Sequence, residues 1–110
     1  MRLVIWNCMN GMGNPRQIEY FNDLKADIAI LPELQHKNIE ALNANNAVWM
    51  TNNHENKVPK GLGILSFSDW KLELLDFDKD MELYIPVKVM SEQVTFNLLA
   101  VWNFYFACKQ

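Results

Sequence analysis

Residues Met1 to Leu34 constrain this chain more than any other stretch, because two short apolar runs, each cut off by a polar residue, flank a segment of helix length. Leu3, Val4, Ile5 and Trp6 form the first run, which stops at Asn7. Ile28 to Leu31 form the second, which stops at Pro32-Glu33. Short apolar runs without alternation read as buried strands of a parallel pair. Between them, Asn10-Gly11 and Gly13-Asn14 make a corner that tolerates left-handed backbone. Pro15 suits a first helical turn, and Ile18, Phe21 and Leu24 recur at helical spacing, with Asn22, Asp23 and Lys25 toward water. The expectation is a βαβ unit: parallel neighbouring strands over Arg2 to Asn7 and Asp27 to Leu31, the first of them central in its sheet.

This order of elements has a chemical consequence. Side chains just past the C-terminal ends of parallel strands share a rim, which is where open α/β sheets place their ligands. Asn7 and Glu33 become neighbours on that rim although 25 residues lie between them. An amide and a carboxylate so placed can hold a hard cation or orient a phosphate. Plainer roles stand beside these: Glu33 as a solvated carboxylate at a strand end, Asn7 as a cap that lends its side-chain oxygen to the next turn.

The remainder of the chain reads as mostly strands. Gln35 to Asn43 carries Ile39 and Leu42 and suggests a short helix, followed by a strand over Ala47 to Met50. Thr51 to Lys60 has loop composition. Gly61 to Ser66 returns to a strand, with Gly61 and Gly63 where side chains would crowd a neighbour. Trp70 to Phe77, Leu83 to Val89 and Val94 to Val101 complete an antiparallel meander, the last two joined by a hairpin at Met90 to Gln93. The aromatic ending, Asn103 to Gln110, has no closing helix or polar tail, so the chain reads as stopping in mid-fold.

At 110 residues there is room for one domain. The net charge of −3 argues against general electrostatic attachment to nucleic acid, although a bound metal would supply its own positive field. The four-residue apolar run after Arg2 is too short for the apolar region of a secretory leader and no apolar window reaches the ~18 residues of a membrane span, so a cytoplasmic protein with no membrane attachment is expected. Cys8 and Cys108 then read as reduced thiols, with a disulfide between the ends as the alternative.

At Asn7, Glu33 and the Gly61 to Ser66 strand, the pattern resembles the N-terminal half of the endonuclease/exonuclease/phosphatase superfamily, the DNase I-like fold. Trp6-Asn7-Cys8 matches the end of the family's first strand, and Asp27 to Glu33 its second, where the glutamate binds metal. Pro32 stands where the family has glutamine, and Trp102 where many members have an active-site histidine. The resemblance implies part of an α/β/β/α sandwich, with a mixed sheet, a βαβ start and an antiparallel meander. It implies Mg²⁺ or Mn²⁺, held by Glu33 with Asn7 beside it, and hydrolysis of a phosphodiester or phosphomonoester in nucleic acid or a small molecule. The family's further catalytic segments have no counterpart here, so this chain alone is expected to be inactive.

Other candidates read more simply. His36 and His54 suit surface positions, and Cys8 a buried thiol rather than a nucleophile. Trp6, Trp49, Trp70 and Trp102 suit packing better than base stacking. Asp76 to Asp80 reads as a solvated turn, while Lys57 and Lys60 could meet a substrate phosphate at the rim. Half a sandwich would leave a sheet face bare, so a homo-oligomer is expected, packed sheet to sheet or through Asn97 to Phe106. The competing function is a non-catalytic α/β domain acting through self-association or a protein partner.

Overall fold

The structure is a computed structural model that describes residues 1–9, 11–51, 57–78 and 84–102. Readings that fell on Asn10, His54, Lys79, Asp80 and the Asn103 to Gln110 tail with Cys108 lie outside the described residues. Strand β1 (Leu3–Ile5) is followed by helix α1 (Pro15–Asp23) and strand β2 (Ile28–Gln35). Two single 3₁₀ turns, His36–Asn38 and Glu40–Leu42, lead to β3 (Asn46–Met50) and β4 (Lys60–Ser66). β5 (Lys71–Leu74), β6 (Tyr84–Met90) and β7 (Thr95–Val101) complete the order.

The βαβ start forms as its sequence demands. Asn14 caps α1 by accepting from the Arg16 N–H at 2.9 Å, Pro15 occupies the first turn, and Phe21 buries the apolar face. β1 and β2 pair in parallel, Leu3 against Ile28 and Ile5 against Ile30. β2 is antiparallel to β4, and β4 to β3, giving a four-stranded mixed sheet in the order β1-β2-β4-β3. The meander β5-β6-β7 is a separate antiparallel sheet of three strands.

Two cores hold these layers together. Cys8, Met12, Phe21, Ala29, Leu31, Leu34, Leu42 and Leu65 pack between the four-stranded sheet and the α1 side. Ile28, Ile30, Leu62 and Ile64 meet Ile85, Val87, Val89 and Ala100 between the two sheets. Each such large side chain contributes on the order of 1.5–3 kcal/mol by leaving water. The meander covers the inner face of the four-stranded sheet, while Leu74, Leu99 and Val101 of the meander itself are exposed. All four tryptophans pack partly buried against one core or the other, as their scatter suggested.

Several boundaries differ from expectation. β1 is an edge strand rather than a central one, with Leu3 and Ile5 exposed. An uninterrupted apolar run reads the same whether its far side is covered or open, so the sequence could not tell these apart. β2 does not stop at Leu31 but runs on to Gln35, passing Pro32 and Glu33 in a bulge. A bulge is where a strand can carry a proline, because the residue there owes no ladder bond. The expected helix over Gln35 to Asn43 is a pair of 3₁₀ turns closed by left-handed Asn43. β5 is confined to Lys71–Leu74. Pro86 lies in central β6, but its carbonyl accepts from Leu75 N–H at 2.9 Å where β5 ends, so its missing donor falls beyond the ladder. Among the described residues no helix is long and apolar enough to cross a membrane.

Candidate functional site

The parallel ladder continues past the end of β1. Trp6 N–H donates to the Ile30 carbonyl at 3.0 Å and Cys8 N–H to the Pro32 carbonyl at 2.9 Å. Cys8 is thereby level with Glu33, and Asn7 with Pro32, so the end of β1 and the bulge of β2 form one rim. The side chains there diverge. Cys8 is fully buried in the helix-side core, whereas Asn7 is exposed and accepts from the Met9 N–H at 2.9 Å. The capping role open to Asn7 is thus in use, through the same oxygen a cation would need.

Glu33 occupies an unusual position. Between Leu31 and Leu34 the register with β4 advances by one residue more on β2 than on its partner, and Glu33 adopts φ +64°. A left-handed backbone costs a residue with a Cβ roughly 1–2 kcal/mol. Its carboxylate lies 3.8 Å from the Lys60 ammonium, with the two side chains 26% and 40% exposed. Lys60 also donates to the Met9 carbonyl. One lysine therefore bridges the start of β4, the β2 bulge and the corner after β1.

That corner is held by its carbonyls. Gln17 Nε2 donates to Cys8 O at 2.7 Å, and Asn38 Nδ2 donates to Gly11 O at 2.7 Å. The Gln35 N–H donates to the same Gly11 oxygen at 3.2 Å. Helix α1, the first 3₁₀ turn and β4 thus each pin one carbonyl of the segment that follows β1. Sequence reasoning missed Gln17 and Asn38, since neither belongs to an apolar face or a motif. Lys60 was seen only as a possible phosphate contact, and pairing with Glu33 is its additional role.

Electrostatics at the rim favour a neutral thiol. Burial, and then the negative charge of Glu33, push the Cys8 thiol up from its ordinary 9.0 to about 12. The thiolate needed for nucleophilic attack is suppressed accordingly. His36 stands edge-on to Trp49 with ring centres 5.2 Å apart, and the Trp49 indole N–H donates to the Leu34 carbonyl at 2.8 Å. Among the described residues no group of three or more His, Cys, Asp or Glu side chains could jointly hold a metal ion.

The donors at the rim are of the right kind for a hard cation but few. Glu33 offers a carboxylate and Asn7 an amide oxygen, against the roughly six oxygens Mg²⁺ takes. Gln17 adds a buried side-chain oxygen that has no partner among the described residues, on a side chain already anchored to Cys8. No protein-family model matches the chain, and no curated protein matches it.

Proposed function

We propose that this chain carries the metal-holding rim of a divalent-metal-dependent phosphoesterase or endonuclease of the DNase I-like kind, and is inactive by itself. The observation that carries the reading is Glu33: a carboxylate held in a left-handed bulge at the end of paired parallel strands. Strained residues and bulges concentrate at functional sites, where they aim a side chain that regular strand geometry would turn elsewhere. The likeness of the order Asn7, Glu33 and the Gly61 to Ser66 strand to that superfamily supports the same reading.

Glu33 would hold Mg²⁺ or Mn²⁺, with Asn7 at the edge of the shell and water filling most positions. Such a cation supplies charge for the phosphoryl oxygens and lowers the pKa of bound water. The chain's own residues do less. Glu33 contributes the anchoring charge, Lys60 balances it when no cation is near, and the pinned corner fixes where Asn7 sits. The substrate would be a phosphoester of nucleic acid or of a small molecule.

The test is titration with Mg²⁺ and Mn²⁺, followed by calorimetry and by amide chemical shifts around the rim. Weak binding, on the order of millimolar, is expected from so few ligands. Glu33→Gln should abolish it. Micromolar affinity that survives Glu33→Gln would place the cation elsewhere and end this reading. The alternative, a non-catalytic domain that works by association, is favoured by a different observation: Leu3, Ile5, Leu99 and Val101 are all exposed.

A further inference from the structure

The two sheets differ in width, and the edges left unmatched are uncharged. They run flush at one side, where β3 lies against β5 and Asn46 Oδ1 accepts from the Leu72 N–H at 3.4 Å. From that side the first sheet has four strands and the second has three, so β1 overhangs β7. The exposures follow this step. Ile28 and Ile30 of β2 are 0% and 5% exposed between the sheets. Their cross-strand neighbours on the same face, Leu3 and Ile5 of β1, are 41% and 67% exposed. The residues of β1 whose side chains point the other way, Val4 and its successor Trp6, pack against the helix-side core.

Below the overhang lies the outer edge of β7, which no other described strand pairs. The Ser91 N–H donates to Val94 O at 2.8 Å, which sets the alternation of the β6–β7 ladder. Phe96, Leu98 and Ala100 therefore direct their backbone groups to β6, while Thr95, Asn97, Leu99 and Val101 turn theirs outward. Exposed edges are normally guarded by charge, proline, a bulge or brevity. β5 carries Lys71 and Glu73, but Thr95–Val101 has none of these guards. β1 itself is uncharged, and the adjoining Arg2 is turned onto its own chain, donating to the Leu24 carbonyl at 2.7 Å.

We propose that this step is a self-association surface, on which two copies interlock about a twofold axis running along the strands. The overhanging β1 of each copy enters the notch beside the other's β7. Leu3 and Ile5 then pack against the same two residues of the second copy, and the outward backbone groups of β7 gain an extended neighbour. A second copy is the occupant because the step is complementary to itself: overhang and notch are each one strand wide, and every copy carries one of each. Neither Leu3–Ile5 nor Thr95–Val101 carries a charged side chain, so the two strands themselves bring no like charges together. Pairing β7 with β7 instead would drive the two overhangs into one another. This inference is independent of the metal reading of Glu33.

Sedimentation equilibrium of the chain, from about 1 to about 200 µM, tests it. A contact this narrow is at the small end of specific interfaces, so dissociation in the micromolar range is expected. The mass should rise from the 12.9 kDa of one chain toward twice that value and no further. Ile5→Lys and Leu3→Lys change side chains already exposed in the single copy, and Asn97→Pro removes an outward N–H at an edge-strand position of the kind that tolerates proline. Each should raise the dissociation constant at least ~100-fold while leaving the far-ultraviolet circular dichroism unchanged. The three positions guard against one variant failing to fold. A mass of one chain at the highest concentration would overturn the proposal. So would growth beyond two copies, or a dimer that persists in a folded Ile5→Lys or Asn97→Pro variant.

Discussion

Lys60 stands 3.8 Å from the Glu33 carboxylate while the same ammonium donates to the carbonyl of Met9, so one side chain joins the start of β4 to the β2 bulge and to the corner after β1. The rim is therefore assembled from three separate stretches of sequence. Its properties can be tested one residue at a time.

The backbone of Glu33 is the first target. At φ +64° a glycine pays no Cβ penalty, whereas alanine pays it in full. Glu33→Gly should therefore be more stable than Glu33→Ala by about 1 kcal/mol in urea unfolding. Both variants should lose any Mg²⁺-induced shift at the rim. If alanine proves as stable as glycine, the left-handed conformation is not present in solution.

The two glycines of β4 should differ in their sensitivity. A Cβ on Gly61 would come within 2.2 Å of the Met50 carbonyl oxygen and 2.7 Å of the Trp49 ring. A Cβ on Gly63 would meet the end of the Leu34 side chain at 2.5 Å. Backbone cannot step aside, but a leucine methyl can change rotamer. Gly61→Ala should cost about 3 kcal/mol and Gly63→Ala about 1 kcal/mol, read from thermal or urea unfolding.

Cys8 links stability to alkaline pH. Its thiol is held neutral up to about 12 in the folded chain, against an ordinary 9.0. The unfolded chain thus releases that proton first. The resulting stabilisation is complete below pH 9 and is lost as pH rises toward 12. In a Cys108→Ser background, the stability advantage over Cys8→Ala should shrink across that interval. In that same Cys108→Ser background the folded chain should also resist thiol-modifying reagents at pH 8 until it unfolds, with modification of Cys8 followed by mass spectrometry. An advantage that stays flat, or rapid native modification, would contradict the burial of this thiol.

Phosphoester hydrolysis should be absent from the isolated chain. The reaction needs a fixed cation, an activated water and relief of charge on the leaving oxygen, and groups acting on one transition state are not replaced piecemeal. Trp102 can neither accept a proton nor bind phosphate as an imidazolium would. Incubation with Mg²⁺ or Mn²⁺ and plasmid DNA, RNA or bis-p-nitrophenyl phosphate should give only background. Turnover that copurifies with the chain and vanishes in Glu33→Ala would refute this.

Local chemistry made much of the architecture legible from the residues alone. Asn14-Pro15 and the spacing of Ile18 and Phe21 specify α1, because cap, first turn and apolar face all lie within a few residues of one another. The runs at Leu3 and Ile28 specify two parallel strands joined by that helix, and Met90 to Gln93 specifies a hairpin, which the Ser91 N–H closes onto Val94 O. These are short-range matters of backbone preference and apolar pattern, which a linear sequence records. What pairs with the far side of β1 is not such a matter, and only tertiary structure decided that it is an edge. The same holds for the bulge that carries β2 through Pro32 and Glu33, since its register is set by β4 from thirty residues onward. It holds for Gln17, Asn38 and Lys60, which reach the corner after β1 from three different elements. Contacts between distant segments depend on which surfaces meet, and the sequence of either segment contains no trace of the other.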